Sequence, residues 1–272
     1  MEQPRDLSTE IDLSRPSAAR VYDYFLGGAH NFEIDRRLAE QIASLTPNLA
    51  DTMRAGRSFL RRAVRAVAAE GVDQYLDIGS GIPTVGNVHE VAQAANPASR
   101  VVYVDIDPVA VMHSRSILEG DKQTAVLEGD LRDPERILAA TRKLDLLDFD
   151  RPIAVLLGGV VHFLPDADRP AEVIATLRAA VGPGSYLVIS HSTFEDQPQE
   201  MLDAQQLSKR TATEITLRSH AEITSYFGDF TLIDPGLVHL PLWRPESPGD
   251  VDEHPERFGA FGGVGRNDRA TG

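Results

Sequence analysis

The sequence predicts a doubly wound α/β fold, in which a mostly parallel sheet of seven strands is preceded by an N-terminal helical cap. Three short apolar and β-branched runs, 74–78, 101–105 and 125–131, alternate with stretches of helical periodicity. A fourth run, 153–157, is apolar throughout, which is typical of a central parallel strand covered on both faces. This alternation of strand and helix predicts the strand order 3-2-1-4-5-7-6.

Three helices are expected before the first strand. The first begins at Pro16 and ends at Gly27-Gly28, because proline fits a first turn and glycine ends helices. Asn31 is the expected cap of the second helix, and the third spans about 54–70. Residues 1–70 therefore form the helical cap. The arginines of the third helix form either a basic patch for a polyanion or a solvated face, and we favour the solvated face: Arg54, Arg57, Arg61, Arg62 and Arg65.

Residues 71–244 carry the alternating strands and helices of the sheet domain. A polar helix at 196–210 is interpreted as an insertion. The runs 230–233 and 238–242 flank a turn signal, and we expect them to close the sheet as an antiparallel pair. Residues 245–272 are rich in glycine, proline and charge, and are either a tail or a strap over the surface; we favour the strap.

A glycine turn and acids at strand ends predict a nucleoside site. Gly79 and Gly81 follow the first strand, and we expect a helix to begin directly afterwards at Pro83. Such glycines let the backbone approach a ligand, and a helix start offers free N–H groups. Asp105 ends the second strand about 20 residues later, where nucleotide-binding α/β units place a ribose-binding carboxylate. Asp130 follows the third strand.

The spacing favours a sulfonium nucleoside over a dinucleotide. Dinucleotide folds have a third glycine in G-x-G-x-x-G, and Thr84 occupies that position here. Asp77, inside the first strand, also fits methyltransferases better than dehydrogenases. A nicotinamide-dependent oxidoreductase remains an alternative, which a competition between cofactors would test.

The chain resembles class I S-adenosylmethionine-dependent methyltransferases, and more narrowly an actinobacterial family of them long known as a domain of unknown function. The resemblance is carried by residues 14–28, 31–32, 76–84, 103–108, 129–132 and 262–266. It implies that the sheet domain binds S-adenosyl-L-methionine and releases S-adenosyl-L-homocysteine. A non-catalytic protein that binds either nucleoside is a second alternative, which a pocket without room for an acceptor would favour.

The expected cofactor-binding residues are Asp77, Gly79, Ser80, Gly81, Asp105, Ile106, Asp130, Leu131, Arg20 and Tyr24. The glycine turn would line the methionine part of the cofactor. Asp105 can accept hydrogen bonds from both ribose hydroxyls, or it can cap the next helix, a role for which Asp107 competes. Asp130 would accept the adenine amino group while the Leu131 N–H reaches a ring nitrogen; the alternative for Asp130 is a helix cap.

Arg20 and Tyr24 share the polar face of the first helix, which is either solvated or a lid that touches cofactor or substrate. His162 and His191, after the fourth and fifth strands, are the catalytic candidates. Either could be the general base that an acceptor needs when it must lose a proton, or a hydrogen-bonded structural histidine. No metal site is expected.

Composition excludes several classes of protein. The 272 residues are 42% hydrophobic and 25% charged, as in a soluble globule of one domain. No apolar run approaches the ~20 residues of a membrane helix, and the first residues lack the pattern of a signal peptide. The absence of cysteine excludes disulfides, thiolate metal sites and a cysteine nucleophile. A net charge of −14 argues against nucleic acid.

We therefore expect a cytoplasmic methyltransferase that acts on oxygen or nitrogen of a small organic acceptor. The sequence leaves the identity of the acceptor and the oligomeric state open.

Overall fold

The computed structural model describes residues 15–46, 48–83, 86–197, 215–247, 249 and 251–269. The strands within these residues are β1 (Gln74–Ile78), β2 (Arg100–Asp105), β3 (Thr124–Glu128), β4 (Ala154–Gly158), β5 (Tyr186–Ser192), β6 (Thr231–Leu232), β7 (Val238–His239) and β8 (Ala260–Arg266). The α-helices are α1 (Ala18–Phe25), α2 (Glu33–Leu45), α3 (Leu49–Ala69), α4 (Val88–Ala95), α5 (Pro108–Ile117), α6 (Pro134–Lys143), α7 (Pro170–Ala179) and α8 (His220–Ser225). Short 3-10 helices occupy Val161–Phe163, Asp166–Asp168, Leu240–Leu242 and Pro255–Phe258.

The strands form one sheet in the order β3-β2-β1-β4-β5-β8-β6, and β7 also pairs with β8. The first five strands are parallel, and β8 is antiparallel to its neighbours. One face of the sheet packs against α6 and α7, and the other packs against α3 and α4. The predicted doubly wound, mostly parallel Rossmann-like fold is thereby confirmed, with eight strands rather than seven.

The closing strands differ from the prediction. β8 lies beside β5, where we expected the strand at 238–242, and both β6 and β7 pair with β8. The C-terminal segment thus enters the sheet instead of lying over it. Its glycines made the segment look unlike a strand, because glycine is depleted in strands. They leave room for aromatic rings: an added Cβ at Gly262 would lie 2.7 Å from Phe59, and one at Gly265 would lie 2.7 Å from Phe227.

The helical cap has two parts. α3 begins at Leu49 rather than near residue 54, and its expected inward residues are all buried: Phe59, Leu60, Ala63, Val64 and Val67. α1 and α2 pack against each other in a separate small apolar cluster. Asn31 does not cap α2; the Asp35 carboxylate accepts the N–H of Phe32 at 2.9 Å instead.

The arginine face of α3 is also different from the prediction. Arg62 donates to the carbonyls of Leu240 and Trp243 at 2.7 and 2.8 Å, and Arg65 pairs with Glu246. Arg62 and Arg65 therefore tie α3 to the segment after β7, so the basic residues do not form one solvated face. The insertion helix expected at 196–210 lies almost wholly outside the described residues. None of the described helices combines the length and apolarity needed to cross a bilayer.

A chain that ends at residue 259 should not fold cooperatively, because it lacks the strand that joins β5 to β6 and β7. Circular dichroism with thermal melting should show loss of the sigmoidal transition, whereas a control chain ending at Arg269 should melt like the full chain. A normal transition in the shorter chain would show that β8 is dispensable.

Candidate functional site

The glycine turn lies at the point where the strand order reverses. β1 pairs with β2 on one side and with β4 on the other, and such switch points hold ligands in open α/β sheets. The N–H groups of Gly79 and Ser80 donate to the Val104 carbonyl at 2.8 and 3.2 Å, so the turn stays attached to β2. Gly79 has φ +74°, and an added Cβ would lie 2.4 Å from Val160. Only glycine therefore fits between β1 and the loop after β4.

The helix expected at Pro83 begins later, at Val88. A capping box sets this start: the Glu90 carboxylate accepts the N–H groups of Gly86 and Asn87 at 2.7 and 2.9 Å. Residues 84–85 lie outside the described residues. The helix N-terminus does not directly follow the glycines, and the turn itself supplies a backbone donor to Asp105, the N–H of Gly81.

Asp105 is held by two backbone donors. Its Oδ2 accepts the N–H of Gly81 at 2.7 Å, and its Oδ1 accepts the N–H of Asp107 at 2.8 Å. Burial raises the pKa of Asp105, and these two hydrogen bonds oppose the rise. The cap of α5 is Asp107, whose carboxylate accepts the Val109 N–H at 2.8 Å. Asp107 therefore fills the helix-cap role that was the alternative for Asp105, and each oxygen of Asp105 keeps a further lone pair.

The other strand-end residues lie nearby along β2 and β3. Ile106 is a large apolar side chain that is 55% exposed. Asp130 forms an ion pair with Arg132, whose Nε is 2.9 Å from both carboxylate oxygens. Partial burial raises the pKa of Asp130, but the bonds from Arg132 outweigh it and hold that pKa below its ordinary value. The cap of α6 is Asp133, not Asp130, and the side chain of Leu131 is buried in the core.

Asp77 is a buried carboxylate without a hydrogen bond. Alternation along β1 places it on the same face as Tyr75, which packs against α3. Asp77 is 3% exposed, and no described residue donates a hydrogen bond to it. Burial raises its pKa from 3.8 to about 7; Arg57 opposes this rise and Asp105 adds to it. A buried carboxylate in this environment is stabilised by a cationic partner, because burial of an incompletely paired charge is costly.

Arg57 and Tyr22 belong to this site, although the sequence did not assign them to it. Arg57 lies on α3 and donates to the Asn87 side chain at 3.3 Å. The Tyr22 hydroxyl donates to the Met53 carbonyl at 3.3 Å. Burial raises the pKa of Tyr22, with Arg57 opposing and Asp77 adding to the rise. A signal existed for Arg57: it lies three residues before Leu60, on the inward stripe of α3.

Arg20 and Tyr24 do not reach the glycine turn. Arg20 is 3% exposed, and its Nε lies 3.5 Å from both Asp35 and Asp107. The Tyr24 hydroxyl points to Glu40 on α2 at 3.5 Å. The face expected to be solvated or a lid is instead partly internal, because Asp23 is buried as well and accepts hydrogen bonds from the loop before α2.

His191 is fully engaged by neighbouring groups. Its Nδ1 lies 2.7 Å from the Ser192 carbonyl, so that nitrogen carries the proton and Nε2 accepts from Arg218 at 3.2 Å. Arg218 is held in turn by the Leu164 carbonyl and by Asp166, each at 2.8 Å. Burial lowers the pKa of His191 to about 4. This geometry fits the structural alternative rather than a general base.

His162 is the more available of the two histidines. It lies in the 3-10 helix after β4, and its Nδ1 is 3.4 Å from the Ser192 hydroxyl. Its Nε2 makes no hydrogen bond within the described residues, and the ring stacks edge-on against His191 with centroids 5.7 Å apart. Burial lowers the pKa of His162 to about 3, helped by His191 and Arg218. The ring is therefore neutral at physiological pH.

The family of S-adenosyl methyltransferases matches residues 4–268. The chain belongs to this family. A crystal structure of a Thermobifida fusca YX protein, named provisionally as a methyltransferase, is 41% identical, with a TM-score of 0.89 over 95% of this chain and 97% of that one. A DUF574 family protein from Streptomyces avermitilis MA-4680 is 36% identical, with a TM-score of 0.89 over 94% and 99%. None of the curated proteins compared with the chain is a significant match.

More distant structures share the fold alone. An O-methyltransferase family protein from Burkholderia thailandensis is 15% identical, with a TM-score of 0.53 over 97% of this chain and 68% of that one. The family membership makes S-adenosyl-L-methionine the cofactor of this chain.

The raised pKa of Asp77 predicts that the Asp77→Asn variant is more stable than the wild type at high pH. The folded chain keeps a proton on Asp77 between about pH 4 and 7 that the unfolded chain loses, so this carboxylate increasingly destabilises the fold as pH rises through that range. The variant should melt at a higher temperature at pH 8, and the difference should shrink toward pH 4. Asp150→Asn, at an exposed acid before β4, is the control. An equal difference at every pH would contradict the assignment.

Proposed function

We propose that this chain transfers a methyl group from S-adenosyl-L-methionine to oxygen or nitrogen of a small organic acceptor. The observation that carries the proposal is the pair of unlike charges beside the glycine turn. No residue of the described part of the chain donates a hydrogen bond to Asp77, and Arg57 approaches it from α3 closely enough to oppose the rise of its pKa. The methionine part of the cofactor ends in an ammonium and a carboxylate. Asp77 would receive the ammonium and Arg57 the carboxylate, whereas nicotinamide dinucleotides offer no such zwitterion.

The remaining cofactor contacts follow from the strand ends. Asp105 would accept the ribose hydroxyls on the lone pairs that its backbone donors leave free. Ile106, exposed beside it, would pack against the adenine ring. Asp130 would accept the adenine amino group while still bound to Arg132, because a carboxylate has about four acceptor sites.

His162 is the proposed contact with the acceptor. The loop that carries it follows β4 and touches the glycine turn through Val160. The bound sulfonium supplies a methyl group on a good leaving group, so the protein contributes mainly alignment of the acceptor. A neutral imidazole with a free Nε2 can orient an acceptor by one hydrogen bond. Its low pKa makes it a weak general base.

A small acceptor fits the charge of the molecule better than nucleic acid does. The net charge of −14 opposes a phosphate backbone. The basic helix α3 offers little compensation, because Arg62 and Arg65 are bound to the segment after β7 and Arg57 faces Asp77.

Titration calorimetry should show S-adenosyl-L-homocysteine binding at micromolar concentration or tighter and no comparable binding of NAD. Asp105→Ala should weaken that binding by roughly 1.5–3 kcal/mol for each lost charge-assisted hydrogen bond. Asp150→Ala, before β4 and away from the carboxyl ends of the strands, should leave the affinity unchanged. Binding of NAD without any response to S-adenosyl-L-homocysteine would overturn the proposal, and an unchanged affinity of the Asp105→Ala variant would remove the ribose role.

Methyl transfer should occur to small molecules and not to nucleic acid. With labelled S-adenosyl-L-methionine, extracts of actinobacterial metabolites should yield labelled products of low mass, whereas DNA and RNA should stay unlabelled. His162→Ala should lower the rate of transfer while the affinity for S-adenosyl-L-homocysteine stays the same, since His162 is assigned to the acceptor side. Label in nucleic acid, together with binding tighter than the ~10⁻⁶ M of non-specific contacts, would contradict the assignment.

A further inference from the structure

The α1–α2 pair meets the cofactor side of the sheet through one buried set of polar side chains. We name it the Arg20 cluster: Ser17, Arg20, Asp35 and Asp107. Ser17 donates its N–H to Asp35 at 3.0 Å and its hydroxyl to Asp107. Arg20, Asp35 and Asp107 are each at least nine-tenths buried. The cluster joins three elements that are distant in sequence: α1, α2 and the loop after β2.

Asp107 connects the cluster to Asp105. One oxygen of the Asp107 carboxylate faces Ser17 and Arg20, and the other accepts the Val109 N–H that begins α5. The backbone N–H of Asp107 donates to Asp105 at 2.8 Å. Asp107 therefore contacts the Arg20 cluster through its side chain and the carboxylate that is proposed to bind ribose through its backbone.

The buried charges hold α1, α2 and the loop after β2 together. One guanidinium faces two buried carboxylates, Asp35 and Asp107, and Asp105 adds a third acid two residues away. Two donors of Arg20, Nε and Nη1, make no hydrogen bond within the described residues. Removing the Arg20 guanidinium would take away the cation that pairs with both buried carboxylates, which costs far more than loss of an exposed pair. These ion pairs are thus kept only while the α1–α2 pair stays packed against the loop after β2.

We propose that Arg20 is a positioning residue for the cofactor site: it acts through Asp107 on Asp105, so that docking of α1–α2 and binding of the ribose are coupled. This inference rests on the proposed ribose role of Asp105. Coupling of two events is reciprocal, so the nucleoside that binds at Asp105 must also tighten the attachment of α1 and α2.

A double-mutant cycle tests the coupling, with S-adenosyl-L-homocysteine as the probe in calorimetry of the full chain. Arg20→Met should weaken binding about tenfold or more, as expected for a disturbed hydrogen bond to a charged group, and Arg20→Lys should restore part of it. In the Asp105→Ala background, Arg20→Met should have little further effect on the affinity, since the carboxylate through which Arg20 acts on the ligand is absent. Arg37→Met, at an exposed arginine of α2, is the matched control and should leave the affinity unchanged.

The cycle separates the inference from the proposed function. If Asp105→Ala weakens binding and Arg20→Met adds its full effect on top, the inference fails while the ribose role stands. If Asp105→Ala alone has no effect, the ribose role fails and the inference fails with it. A lower melting temperature of Arg20→Met at unchanged affinity would also overturn it, because that result describes a purely structural cluster.

Ser17→Ala provides a milder variant in case Arg20→Met does not fold. It removes the hydroxyl that donates to Asp107 and leaves every charge in place. Hydrogen exchange should slow in α1 and α2 when S-adenosyl-L-homocysteine binds to the wild type, and it should slow less in Ser17→Ala. Equal protection of both helices in the two proteins would overturn the coupling.

Discussion

The two backbone hydrogen bonds to Asp105 join the parts of the molecule that matter for its chemistry. One comes from Gly81 in the turn after β1, and the other comes from Asp107 at the start of α5. The first links the glycine turn to β2, and the second links β2 to the buried charges beneath α1 and α2. The strand order supplies the reason for this convergence, since β1 is the strand at which the direction of winding reverses. The glycine turn therefore contacts Asp105 directly, and the helical pair reaches Asp105 through Asp107.

A second carboxylate of the proposed site, Asp77, lowers the stability of the fold. Asp77 is buried, and none of the residues that the structure describes donates a hydrogen bond to it. Its neighbours in the strand are apolar and fully buried, and an apolar residue there would extend the same packing. Proteins accept such a loss where a ligand supplies the missing partner, and the loss is then regained on binding. Arg57 reduces the penalty without removing it, because the pKa of Asp77 still lies well above its ordinary value.

Local patterns predicted the five parallel strands, the inward face of α3 and the acids at the strand ends, because each depends on periodicity within a few residues. Three features were missed, and the first two of them depend on distant contacts. The glycines of β8 lower its local preference for a strand, but they leave room for the rings of Phe59 and Phe227, which cover the strand. The polar face of α1 is buried because Arg20 meets Asp107, a residue far away in the sequence. α4 starts later than predicted because the Glu90 carboxylate caps the backbone N–H of Asn87.

The two histidines show how the same residue type serves different purposes at adjacent strand ends. His191 is locked between a backbone carbonyl and Arg218, so its second nitrogen cannot take a proton without opposing a guanidinium. That charge, together with burial, also lowers the pKa of His162. A base this weak does little for an alcohol, whose proton is held far more tightly. For the proposed methyl transfer, this favours an acceptor whose reacting atom already has a free lone pair at neutral pH, such as an aromatic amine or an ionised acid. For such an acceptor alignment is the main requirement, and a neutral imidazole held by its neighbours in one orientation supplies it.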